Sequence, residues 1–260
     1  MRLVLLGAGS IVPTTDRFCT AAYLEASEAR ILVDCGPGTL EKMRRMGISP
    51  HNVDAVFLTH YHLDHVSDLL PLIKLRAYTP TGEPQRSPKT LKVIGPPGLT
   101  ELLNHLIHSN KFFEYLESIM NYRKYTALTT VEERREYEIC GLKFSSVPVT
   151  HSYGVAYKFW DGRCSVVFSG DTAPDWRLIE FARGADILIH ECSLPSDSLI
   201  GQHTGERELA LIVAEARPRL VVVTHLYPAW NGAEHQIVRA IEEAYKCRVI
   251  VGRDLMEIRI

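Results

Sequence analysis

The stretch Ala55-Val56-Phe57-Leu58-Thr59-His60-Tyr61-His62-Leu63-Asp64-His65 runs from four apolar residues into three imidazoles and one carboxylate. The apolar run predicts a buried strand, and the polar run predicts a strand-to-helix turn at its end. With 11 histidines and 11 aspartates in 260 residues, a His-x-His-x-Asp-His pattern should arise by shuffling in only about one chain in a thousand. Polar residues crowded behind a buried strand would cost too much without a ligand. Strand alternation would aim His60 and His62 to one side, and the turn would swing Asp64 and His65 toward a second position nearby. The pattern points to two metal ions rather than one.

Such a site needs more ligands, including a carboxylate able to bridge. Three later apolar runs end in suitable side chains. Val147-Pro148-Val149-Thr150-His151 closes on an imidazole, Val166-Val167-Phe168-Ser169-Gly170-Asp171-Thr172 presents a carboxylate after a small-residue turn, and Leu220-Val221-Val222-Val223-Thr224-His225 presents another imidazole. Four strands would then converge on one edge.

Outside these runs, β-like segments recur at Arg2–Leu6, Ala21–Glu25, Ile31–Val33, Leu91–Ile94, Ile187–Ile189, Val249–Val251 and Met256–Ile258, and an alternating run spans Leu142–Val147. Helical spacing marks Thr39–Met46, Val66–Tyr78, Leu99–His108, Trp176–Arg183, Glu206–Ala216 and Ala233–Tyr245. Early strands follow one another without long crossovers and later ones alternate with helices. That order predicts an α/β fold, a mixed-sheet sandwich wrapped by helices, with residues 1–260 as a single domain. Thr79–Thr90, with three prolines and a glycine, reads as a surface loop inside it.

Composition excludes several classes. The longest apolar runs fall far short of the ~20 residues of a membrane helix, and Arg2–Gly7 is too short for a secretory signal, so no membrane association and a cytoplasmic location are expected. A formal charge of −2 gives no global footprint for nucleic acid. Six scattered cysteines without a Cys-x-x-Cys pair fit neither a zinc knuckle nor a disulfide framework. Gly7-Ala8-Gly9 resembles the start of a dinucleotide fingerprint, but Val12 replaces the third glycine and Pro13 blocks the helix it needs. The basic pairs Arg44-Arg45, Arg123-Lys124 and Arg134-Arg135 read as solvated faces. Met43, Met46 and Phe112-Phe113 read as core or interface, and His51, His105, His108 and His235 as ordinary histidines.

Val33-Asp34-Cys35-Gly36, Thr59–His65, His151, Ser169–Thr172 and Thr224-His225, in this order, resemble the motifs of the metallo-β-lactamase-fold hydrolases over nearly the whole chain. The resemblance implies a four-layer αβ/βα sandwich of two mixed sheets flanked by helices. It also implies that His60, His62 and His151 hold one metal, that Asp64, His65 and His225 hold the second, and that Asp171 bridges both. Asp34 would orient a ligand, although an Asx turn after its strand is an alternative. Zinc suits this imidazole-rich, thiolate-poor set, with manganese or iron as substitutes.

Within that family the chain is similar to the tRNA 3′-processing endonuclease and arylsulfatase branch. The similarity rests on Gly7–Thr14, Gly95-Pro96-Pro97-Gly98-Leu99, and His190-Glu191-Cys192 followed by His203-Thr204. It departs from the endonucleases at Arg17-Phe18-Cys19 and at Leu226-Tyr227-Pro228, and it has no long Gly/Pro-rich arm to grip tRNA. The expected activity is therefore phosphodiester cleavage by metal-activated hydroxide on a small or exposed ester, with RNA not favoured. Sulfate-ester hydrolysis is the first alternative, followed by tRNA processing, lactone hydrolysis and β-lactam hydrolysis. Asp64 is expected to serve as ligand and general base, and His203, held by Glu191, as general acid. The rival role for His203 is simply to precede a helix capped by Thr204. Relatives suggest a homodimer.

Overall fold

A computed structural model describes residues 1–109, 111–120 and 125–259. The strands are β1 Arg2–Gly7, β2 Ala21–Ala26, β3 Ala29–Val33, β4 Ala55–Phe57, β5 Leu91–Gly95, β6 Thr126–Thr130, β7 Tyr137–Ile139, β8 Leu142–Pro148, β9 Val155–Trp160, β10 Ser165–Phe168, β11 Ile187–Glu191, β12 Leu220–Thr224, β13 Arg248–Val251 and β14 Met256–Arg259. They form two seven-stranded sheets, ordered β14-β1-β2-β3-β4-β5-β6 and β13-β12-β11-β10-β9-β8-β7. Both sheets are mixed. In the first, β14, β1, β2 and β3 pair antiparallel and β3 to β6 pair parallel. In the second, β7 to β10 pair antiparallel and β10 to β13 pair parallel.

Side-chain alternation builds the layers. In β1, Leu3 and Leu5 enter the core between the sheets with Phe57, Tyr157 and Val222, whereas Val4 and Leu6 face outward onto Met43, Leu72 and Leu103 of the first helical layer. In the second sheet, Val167, Leu188 and Val221 face the other helical layer through Leu178, Leu209 and Ile237. The result is the expected helix–sheet–sheet–helix sandwich. Parallel strands covered on both faces must be apolar throughout, as in fully buried Leu220–Thr224.

Phe57 closes the centre. It is fully buried and meets Phe144, Tyr157 and Phe159 edge-on at centroid distances of 4.7, 5.3 and 4.8 Å. Phe57→Ala is expected to cost about 3–5 kcal/mol, read as a lower denaturant midpoint at an unchanged slope. A loss under about 1 kcal/mol would mean that the sheets close over the void.

The structure differs from the sequence reading in several places. The helix expected at Val66–Tyr78 is two pieces, Leu63–Val66 and Leu69–Leu75. Between them Asp68 donates its amide to Cys35 O and accepts the Leu40 amide on Oδ2, contacts that straight helix would forbid. β6, β7 and β9 escaped detection because their short, polar-interrupted runs gain order from neighbours, as when Lys158-bearing β9 pairs on both sides. Phe112 and Phe113 are 76% and 42% exposed, so they are not core, whereas Met43 is buried. Arg44-Arg45 and Arg134-Arg135 are exposed as expected, and Arg123-Lys124 lie outside the described residues. All six cysteines are free thiols. Among the described residues no helix is long and apolar enough to cross a membrane.

Candidate metal centre

The carboxyl ends of β3, β4, β8, β10, β11 and β12 open on one edge of the sandwich, the common place for a site in α/β sheets. Asp34 follows β3, Thr59–His65 follow β4, His151 follows β8, Asp171 follows β10, Glu191 ends β11 and His225 follows β12. β4 ends at Phe57, so His60 and His62 lie on the turn rather than on an alternating strand. It is the turn, with His62 at the cap of the Leu63–Val66 helix, that brings them together. Asp34 and His225 both take positive φ, 60° and 58°, backbone conformations that non-glycine residues adopt only when their surroundings hold them. Gly170 is demanded by close approach, since at φ 61° a Cβ would stand 2.8 Å from Thr59 Cβ.

Among the described residues, three groups of side chains bring their donor atoms within 4.8 Å of one another: His60, His62, His151 and Asp171; Asp64, His65 and His225; and Asp171, His203 and His225. Asp171 Oδ2 lies 3.2 Å from His225 Nε2, 3.4 Å from His65 Nε2, 3.7 Å from His60 Nε2 and 4.0 Å from His151 Nε2. Asp64 Oδ2 lies 3.3 Å from His225 Nε2 and 3.8 Å from His65 Nε2. His62 turns Nδ1 inward, 3.3 Å from His151 Nε2.

The surrounding bonds set the tautomers. Asp34 Oδ2 accepts from His65 Nδ1 at 2.7 Å and from the Thr59 hydroxyl, while its Oδ1 accepts the Thr59 amide. Thr59 Oγ1, having donated to Asp34, accepts from His60 Nδ1 at 3.1 Å. His151 Nδ1 donates to Gln202 O at 2.8 Å. Each of these rings therefore turns Nε2 into the cluster with its electron pair free. The Asp34 carboxylate is engaged across the fold, not in an Asx turn.

A divalent cation fits this donor set. His60 Nε2 and His65 Nε2 are buried without a hydrogen-bond partner, a costly condition that a ligated cation would relieve. Burial and the facing His65 hold the His60 imidazole well below its ordinary pKa, so it stays neutral. Burial pushes the Asp171 carboxyl up, but His225 and His65 outweigh it and hold it well below the usual carboxylate range. Burial alone would lower His65, yet Asp171 and Asp34 raise it well above its usual value. The carboxylates that favour a proton there would favour a cation in its place.

His203 lies beside the cluster with its Nδ1 3.0 Å from Glu191 Oε1, and Glu191 Oε1 also accepts the Thr172 amide at 2.6 Å. Burial works against charge on this imidazole, but the Glu191 bond outweighs it and raises the pKa. The rival role fails: the Thr204 hydroxyl donates to Thr172 O, and Gly205 stands at the helix cap. His190 points away, its Nδ1 donating to Glu191 O. His51, His105, His108 and His235 fall in none of the donor groups. Missing from the sequence reading is Ser193, whose hydroxyl touches Glu191, His203 and His225. Its one trace in the sequence is its place two residues after Glu191, on the same side of the chain. A cavity of about 860 Å³ opens beside His151, with Pro97, Val149, Tyr153 and Gln202 in its walls.

If Asp34 orients His65, Asp34→Ala is expected to weaken metal binding about 10- to 100-fold, measured by chelator competition. An unchanged affinity would show that packing alone orients the ring.

Fold and donor set together define a metallo-β-lactamase-fold metallohydrolase near ribonuclease Z. Ribonuclease Z of Mycobacterium bovis (strain BCG / Pasteur 1173P2) is 28% identical over 284 residues, covering 100% of this chain and 98% of that protein. The metallo-β-lactamase fold protein YhfI of Bacillus subtilis superposes with a TM-score of 0.82 at 21% identity, covering 99% and 98% of the two chains. Human tRNase Z, short form, does so with a TM-score of 0.74 at 17% identity, covering 100% and 99%. The chain belongs to the family described as Anti-Pycsar protein Apyc1, which matches residues 1–239.

Proposed function

We propose that residues 1–260 act as one binuclear metal-dependent hydrolase domain that cleaves phosphodiester bonds. His60, His62 and His151 would hold one divalent ion, Asp64, His65 and His225 the second, and Asp171 both. The observation that carries this reading is the Asp171 oxygen standing among four imidazole nitrogens drawn from both sets. Two bound ions, zinc by the donor set, would supply Lewis acidity toward the ester oxygens and would lower the pKa of the attacking water toward neutrality.

The protein's own groups do the rest. Asp64 accepts the proton of the attacking water. His203, held on Glu191 through Nδ1, delivers a proton from Nε2 to the leaving oxygen as its bond to phosphorus breaks. Glu191 stabilises the imidazolium before transfer and keeps the ring aimed afterward. The cavity beside His151 receives the part of the ester that does not react.

Ribonuclease Z carries a phosphodiester reaction in its name, which supports this bond type. The test is a side-by-side assay of metal-loaded protein on bis-p-nitrophenyl phosphate, p-nitrophenyl sulfate, a lactone and a precursor tRNA. The reading expects the phosphodiester to be the best of the small substrates. A preference for the sulfate or the lactone would replace it with sulfatase or lactonase chemistry, and efficient cleavage confined to precursor tRNA would make the chain an RNA-processing enzyme.

A further inference from the structure

We infer that Ser193 is a positioning residue that couples the His225 metal position to the placement of His203. Ser193 is fully buried just beyond β11. Cys192 turns into the outer helical core, so alternation returns Ser193 to the side of Glu191. Its Oγ lies 2.5 Å from Glu191 Oε2, 2.9 Å from His225 Nδ1 and 3.2 Å from His203 Nδ1.

A serine hydroxyl has one hydrogen, and an ionised carboxylate only accepts. The hydrogen therefore goes to Glu191, and Oγ must accept from the rings. His225 then carries its proton on Nδ1, leaving Nε2 with a free pair toward Asp171 and Asp64. His203 shares its Nδ1 proton between Glu191 Oε1 and Ser193 Oγ. One hydroxyl thus orients three groups that come from Glu191, the loop before Gly205 and the end of β12.

Donation from His225 Nδ1 strengthens when Nε2 gives its pair to a cation. In a chain of hydrogen bonds that gain passes from His225 into Ser193 Oγ and from Ser193 into Glu191, and it fixes the carboxylate whose other oxygen holds His203. By the same linkage, a His203 ring seated on Glu191 and Ser193 favours cation binding at His225. The inference rests on the two-ion reading above, but not on His203 acting as an acid.

The test titrates Zn²⁺ into the metal-free protein by calorimetry against a competing chelator. It compares the wild type with Ser193→Ala, Ser193→Thr, His203→Ala and the Ser193→Ala/His203→Ala double variant. Ser193→Ala should weaken one of two ions about 10- to 100-fold and leave the other nearly unchanged. Ser193→Thr, which restores the hydroxyl, should return that affinity to within about threefold. His203→Ala should weaken the same ion about 3- to 10-fold when Ser193 is present and not at all in the Ser193→Ala background.

Wild-type affinities in Ser193→Ala, or single losses that simply add in the double variant, would overturn the coupling. Additive losses would instead make His203 a direct ligand. Equal weakening of both ions without rescue by threonine would also overturn it, as general damage to the site. A wild type that binds one ion or none would overturn the two-ion reading and the coupling with it. Should Ser193→Ala not fold, Ser193→Cys, a weak acceptor of similar size, carries the same expectations.

Discussion

Asp171→Ala is expected to release metal and to reduce kcat by on the order of 10³-fold or more, since even partners outside the ligand set cost 10- to 100-fold in metal sites. The reason is geometric. A single oxygen of this carboxylate stands 3.2 to 4.0 Å from Nε2 of His225, His65, His60 and His151, so its removal weakens both proposed positions at once. Elemental analysis after gel filtration should fall from two ions per chain to one or fewer. Asp171→Asn keeps the size but not the charge and should follow the same course, because the negative charge is what offsets two cations in a buried site. Two retained ions with kcat within tenfold of the wild type would remove Asp171 from the bridging role.

The second large effect is expected from His203→Ala. With two ions bound at saturating metal, kcat should fall ~10²–10⁴-fold for esters with poor alkoxide leaving groups and far less for p-nitrophenyl esters, because p-nitrophenolate departs without a proton. The site geometry gives the ring the required setting: Nδ1 is committed to Glu191 at 3.0 Å, leaving Nε2 as the position from which a proton can be given. Equal losses on both substrate types would show that His203 places the substrate or metal instead. Its membership of a donor group with Asp171 and His225 makes that alternative concrete.

Much of the centre was legible because its donors come in local clusters. His60, His62, Asp64 and His65 fall within six positions, a density that buried apolar sequence does not tolerate without a ligand. His151, Asp171 and His225 each end an apolar run, where a strand hands its chain to the rim of a sheet. Strands β6, β7 and β9 were not legible, because pairing with β5, β8 and β10 gives these polar-interrupted runs an order their own residues do not signal. The break at Ser67–Asp68 was hidden for a related reason, since its cause is the Asp68 amide donating to Cys35 O, 33 positions earlier, instead of to its own helix.

By itself the sequence determined which donor atoms the protein owns, which apolar runs bury them and the order in which strands deliver them to one edge, because these follow from residue type and short-range periodicity. Only the tertiary structure decided which nitrogen of each ring faces the cluster, that one Asp171 oxygen is shared, and that Ser193 joins Glu191, His203 and His225. Those outcomes depend on contacts between residues as far apart as Asp64 and His225, 161 positions along the chain. Such contacts are made by the closing of two sheets, and no local spacing encodes them.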